Sequence, residues 1–204
     1  MTRSRFVVAV TSTALCAALI TGCTGQQEQA APEPSASETT PQTPGDGNFA
    51  SPEDADRSDV DSTAETAALM LHSWDTALDT TETAAAIRAK PLMSDEWAAA
   101  QVEPERNSSQ GEWLEPGKVE AYSQPTLMEG AGDAAAHDYG PDRAERRYEV
   151  TWTWQGRDGS TIPSNATREV VIYLERHDGT WEVVGHHTSH VPGQSQIEES
   201  DTAA

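Results

Sequence analysis

Residues 148–155 read Tyr-Glu-Val-Thr-Trp-Thr-Trp-Gln. Apolar and polar side chains alternate without a break, the pattern of a strand with one buried face. Arg168 to Arg176 continues the theme, with Val170, Ile172 and Leu174 on one face and Val171 and Tyr173 on the other. His177-Asp178-Gly179-Thr180 follows, and Asp-Gly suits a two-residue hairpin turn because both positions tolerate positive φ. A third strand then begins at Trp181 and runs through Val183, Val184 and Gly185 toward Val191. Upstream, Val119 to Met128 reads as a weaker strand, which Pro125 confines to an edge or a bulge.

Working outward toward the N-terminus, the period changes from two to 3.6. Ser62-Thr63-Ala64-Glu65 fits a capping box. Ala67, Met70, Leu71, Trp74, Ala77 and Leu78 then form one apolar stripe, predicting a helix from about residue 62 to Leu78. A short helix is expected from Glu82 to Lys90, stopped by Pro91. Ser94 precedes Asp95-Glu96-Trp97-Ala98-Ala99-Ala100, an N-cap with acids in the first turn of a third helix. Residues 103–117 hold two Pro, two Gly and Asn107-Ser108-Ser109, and read as loop. Helices followed by successive antiparallel strands define an α+β domain, with N-terminal helices packed on one sheet.

This order of elements, with "AKPLMSDEW", "YEVTWTWQG", "REVVIYLERHDG" and "TWEVVGHH", resembles the nuclear-transport-factor-like, cystatin-like cone domains. More narrowly, it is similar to small actinobacterial lipoproteins associated with conjugative transfer. The resemblance implies a curved antiparallel sheet wrapped against a long helix. It also implies a pocket between the two, where enzymes of that fold use an Asp or a His. The fold hosts enzymes, binders and scaffolds alike, so function must be argued from the residues.

The first residues set the compartment. Arg3 and Arg5 precede a mostly apolar stretch from Phe6 to Ile20, an arrangement of secretory signal type and too short to span a bilayer. Leu19-Ile20-Thr21-Gly22-Cys23 resembles the bacterial lipobox, which implies cleavage between Gly22 and Cys23 and acyl chains such as palmitate on Cys23. Cys16 falls in the removed segment, so the exported domain is expected to lack thiols and disulfides. Residues 1–22 are thus a lipoprotein signal peptide. Residues 23–63, rich in Pro, Thr and acids, read as a lipidated Cys and a disordered tether. Residues 64–191 make the domain and 192–204 a disordered tail. The expected location is the outer face of the bacterial cytoplasmic membrane, with attachment through lipid on Cys23.

Charge narrows the partners. The 204 residues carry 34 acids against 13 Lys and Arg, a formal net charge of −21, with a hydrophobic fraction of 36%. Such a chain has no basic surface with which to hold nucleic acid. All six Trp lie between Trp74 and Trp181, so the core belongs to the domain and the ends dilute the average.

Candidate pocket residues follow from the cone resemblance: Trp74, Asp75, Tyr148 and Trp152. An Asp base beside a Tyr donor suits proton abstraction next to a carbonyl. Asp75 and Asp79 border the apolar stripe, however, and read as solvated helix acids, while Trp152 and Trp154 with Trp74 read as core. His186, His187 and His190 read as a strand end, because a regular strand separates the first and last by about 13 Å and turns His187 to the other face. No metal site, cofactor or catalytic residue is expected. The preferred function is a non-catalytic binding or envelope-assembly module whose partner is an envelope protein or a small apolar ligand. The alternative is a pocket enzyme of isomerase or dehydratase type.

Overall fold

The computed structural model describes residues 42–106, 110–130 and 135–191. The chain divides into units 1–40 and 41–204, and only the second falls among those residues. The expected signal peptide 1–22, its Gly22–Cys23 cleavage point, the expected lipidation at Cys23, the tether through residue 41 and the tail 192–204 lie outside them. Among the described residues no helix is long and apolar enough to cross a membrane.

The domain is α+β, with helices packed on an antiparallel sheet as the strand and helix periods require. Helix α1 spans Val60–Leu71, α2 Thr83–Arg88, α3 Asp95–Ala100 and α4 Gln110–Gly117. Ser94 caps α3 by accepting from the Trp97 N–H, as expected. α1 differs from expectation at both ends. Its cap is Asp59, which accepts from the Ser62 N–H at 2.8 Å, while the Ser62 hydroxyl accepts from the Asp56 N–H. It ends at Leu71, although the apolar stripe runs on to Leu78, which is 41% exposed. The Ser123 hydroxyl explains the early end, accepting from the Trp74 N–H and donating to the His72 carbonyl, both at 2.7 Å. These long-range bonds satisfy the His72 carbonyl and the Trp74 N–H outside the helix, so the backbone leaves it after Leu71.

The strands are β1 Tyr122–Glu129, β2 Ala136–Gly140, β3 Arg143–Gln155, β4 Thr161–His177 and β5 Thr180–Val191. All pairs are antiparallel, in the order β1-β3-β4-β5, and β2 shares the edge of β3 that β1 occupies. Asp178 and Gly179 both have positive φ in the β4–β5 turn, as the Asp-Gly dipeptide predicts. Besides a register shift between Asp138 and Gly140 of β2, two irregularities fall in the long strands. Val184 is the extra residue between the Tyr173–Gly185 and Leu174–Val183 pairs. Ser164, Asn165 and Ala166 together lie opposite Trp152, between the Thr151–Thr167 and Thr153–Pro163 pairs. Each sheet edge is met at one point by a segment outside the strands, which blunts it locally. Asp75 bridges to Tyr122 on one side and Met93 to Val183 on the other.

Two clusters fill the space between helices and sheet. Ala64, Ala67, Ala68, Met70 and Leu71 of α1 pack on Tyr148, Val150, Val170, Ile172, Leu174 and Val183. Trp74, Ala85, Trp113, Ala121, Trp152 and Trp154 form the second.

The expected disordered tether through Thr63 is corrected over its second half, because residues 42–63 are folded onto the domain. Pro44-Gly45-Asp46-Gly47 makes a tight turn in which Gly45, Asp46 and Gly47 have φ of 59°, 51° and 81°. The Gly45 N–H donates to Asp75 at 2.9 Å, and Asn48 donates to the Tyr122 hydroxyl at 3.1 Å. Phe49 meets Tyr122 edge to face, and Arg88 sits 5.4 Å over the Phe49 ring. Farther along, Arg57 donates to the Trp181 carbonyl through Nε and Nη2, at 3.1 and 2.9 Å. A Pro-, Gly- and Asp-rich composition reads as disorder because it offers little apolar area. Here polar bonds, the Phe49 ring and the partly buried Ala50 and Ala55 hold it.

Candidate functional site

The four pocket candidates do not form one site. Trp74 and Trp152 meet edge to face with centroids 5.2 Å apart. Tyr148 belongs to the α1 cluster, and burial holds its phenol well above its usual value. Asp75 stands at the β1 edge of the sheet, away from both.

Asp75 is corrected from a solvated acid to a fully buried one, with no exposed surface. Arg157, from the turn after β3, grips both its oxygens at 3.0 and 2.7 Å. The Gly45 and Ala77 N–H groups donate as well, at 2.9 and 3.0 Å. Burial alone raises such a carboxyl's pKa, but the bonds from Arg157, Gly45 and Ala77 outweigh it and hold the group below its ordinary value. A carboxylate so satisfied is a poor general base and a good fastener.

Beneath α1 and α2 the second cluster is organised by a cation. The Arg168 guanidinium lies 4.9 Å over the Trp74 ring and 5.1 Å over Trp152. It also bonds both oxygens of Glu82 at 3.1 and 2.9 Å, and Glu112 on α4 at 2.9 Å. Stacking and bidentate pairing are what an Arg, unlike a Lys, provides. His72 sits beside it, 5.4 Å from Trp74, and its ring bonds the Ala68 carbonyl through Nδ1 at 2.9 Å. Burial pushes the His72 pKa down to about 4, and Arg168 adds to the effect. The imidazole is therefore neutral at pH 7, with Nδ1 carrying the proton it donates to Ala68.

The surface above this cluster carries a groove of about 400 Å³ between α4 and the first half of β4. Trp152 and Trp154 form its floor, and Ile162, Pro163, Ser164, Asn165 and Ala166 one wall. Glu112, Glu115 and Pro116 of α4 form the other. Trp113 anchors α4 by packing edge to face on Trp154, centroids 6.4 Å apart. The indole N–H of Trp152 is buried with no hydrogen-bond acceptor in the protein, and the residue is only 3% exposed. The volume falls in the range of small-ligand and side-chain pockets.

Sequence reasoning placed Trp152 in this region but missed the walls. α4 was hidden by Gly111, Pro116 and Gly117, and the expected loop over residues 103–117 is corrected there. Its one legible signal was Trp113, a large apolar side chain in a polar run. The start of β4 was hidden by Pro163, which argues against a strand interior. Of the three histidines, His186 takes the Trp97 Nε1–H on its Nδ1 at 3.2 Å. His187 pairs in register with Val171 and His190 with Arg168, so the strand separates them as its period requires.

No family model matches the chain, and no curated protein matches it. Among solved structures it is similar to an IcmL-like type IV secretion system protein from Legionella pneumophila. That likeness has a TM-score of 0.43 and 10% sequence identity, covering 66% of this chain and 93% of that one. It is also similar to the VirB8 protein of Agrobacterium tumefaciens, with a TM-score of 0.42 and 14% identity, over 65% of this chain and 91% of that one.

Proposed function

We propose that the chain is a non-catalytic binding module of the bacterial envelope, acylated on Cys23 and held at the outer face of the cytoplasmic membrane. Its partner is another envelope protein or a small apolar ligand. The observation that carries the reading is the aromatic-floored groove, which the locked acid Asp75 does not line. The groove offers apolar area and hydrogen-bonding groups, which recognition needs. The one fully buried carboxylate near the sheet edge is committed to Arg157 and two backbone N–H groups. An isomerase or dehydratase needs its acid and base within reach of one substrate. Asp75 and Tyr148 lie in different parts of the domain, which disfavours that alternative.

The anchor rests on the sequence from Arg3 to Cys23. Cys23→Ala removes the thiol that takes the lipid, so the variant is expected to leave the detergent phase or accumulate as a larger precursor. Labelled palmitate should mark the parent chain and not the variant. Fractionation unchanged by the substitution, or equal labelling of both, contradicts acylation at Cys23.

A further inference from the structure

We infer that the groove over Trp152 and Trp154 takes an extended segment of a partner protein in which a basic side chain neighbours an apolar one. The inference rests on the binding-module reading and names the partner's chemistry. Three features of the site select that occupant. The floor is two indole rings, which reward an aliphatic or aromatic side chain by burial. The charged side chains on the rim, Glu112 and Glu115, are both acids, in a domain of 22 acids against 10 Lys and Arg over residues 64–191. Among the described residues Glu115 is held by Lys118 alone, an exposed pair three residues apart. Such pairs contribute little, so the carboxylate can exchange to an incoming Lys or Arg. Cations over indole faces are favourable as well, as Arg168 already shows from beneath the same Trp152 ring.

The backbone of the wall selects an extended chain rather than a compact molecule. Among the described residues β5 pairs with β4 only from Thr167 onward. The Ser164–Ala166 bulge therefore faces the groove beside a length of β4 without β5 along it. There the Ala166 N–H turns to the Ser164 hydroxyl at 3.2 Å. An extended segment can lay its main chain along this wall while alternate side chains reach the Trp floor, the general mode of strand-like peptide recognition. The chain beyond Val191 carries three acids, Glu198, Glu199 and Asp201, and no Lys or Arg, so its charge does not match the acidic rim.

The test uses the full lipidated chain in detergent, with indole 15N–1H signals as readout. The probes are two capped octapeptides, one alternating Val and Lys, the other Val and Glu. The Val–Lys peptide is expected to shift the Trp152 indole signal and to bind at least about tenfold more tightly than the Val–Glu peptide. Its affinity should fall by roughly tenfold in Glu115→Lys and in Ser164→Arg, and should weaken with added salt. Glu112 is left intact because it holds Arg168, and unchanged unfolding midpoints confirm that both variants fold. Equal affinities for the two peptides, no response of the Trp152 signal, or insensitivity to both variants overturns the assignment. Binding that emerges only after deletion of residues 192–204 identifies the tail as occupant and overturns it too. Photo-crosslinking from Ser164 reports separately whether anything sits in the groove, so loss of the peptide chemistry and loss of the binding reading are distinct outcomes.

Discussion

Asp75 and His72 stand three residues apart, and burial acts on them in opposite ways: it keeps His72 neutral, whereas Asp75 stays ionised against it. Asp75 is stabilised as an anion by four donors. His72 is kept neutral by a site that already holds the Arg168 cation. The consequence for stability has a definite sign. His72 titrates near 6.5 when unfolded and at about 4 when folded. The unfolded chain therefore binds the extra proton across that window, and the folded state loses ground as pH falls from about 6.5 to 4. The full loss is roughly 3 kcal/mol, from a shift of between two and three pKa units. His186, half-buried against Trp97 and also lowered by burial, acts in the same direction. Urea unfolding at pH 7 and pH 4.5 should show this loss, and His72→Leu should reduce the pH slope while lowering stability at pH 7. A slope unchanged by the substitution places the proton uptake elsewhere.

Among the elements, those with a long, clean period were legible. β3 and β5, the Asp-Gly turn and α3 with its Ser94 cap all follow from local sequence, because side-chain period and turn chemistry agree. Asp75 and the end of α1 were not legible, since what decides them lies far along the chain. Ser123 is 51 residues from the His72 carbonyl it bonds, and Arg157 is 82 residues from Asp75. Composition likewise concealed the folded segment 43–59, whose hold on the domain is built from single contacts. Gly45 is its most constrained position. A Cβ there stands 2.4 Å from the Phe49 ring, and φ is +59°. Gly45→Val is therefore expected to free this strap, destabilising the domain by about 1–3 kcal/mol. Limited proteolysis should then cut within residues 43–59 at low protease concentration, with the sheet left intact. Resistance equal to the parent chain means the strap is not held through Gly45.

At the scale of the whole molecule, the strap shortens the distance between anchor and domain. The proposed lipid on Cys23 is separated from Thr43, where the folded strap begins, by 19 residues. A fully extended chain of that length reaches roughly 70 Å at most, about half of what an unfolded run to Thr63 allows. On the proposed acylation of Cys23, that length bounds how far from the membrane the domain reaches. Acidity then acts as a filter rather than a grip, keeping nucleic acid and anionic surfaces away while favouring basic segments.

The central claim is that the groove over Trp152 and Trp154 is where the anchored domain meets its partner. The most direct measurement is photo-crosslinking in native membranes, with benzoylphenylalanine at Ser164 and, as control, at exposed Thr153 on the opposite side of the sheet. The account predicts one adduct of defined mass from Ser164 and none of that mass from Thr153. No adduct from Ser164, or the same adducts from both positions, contradicts it.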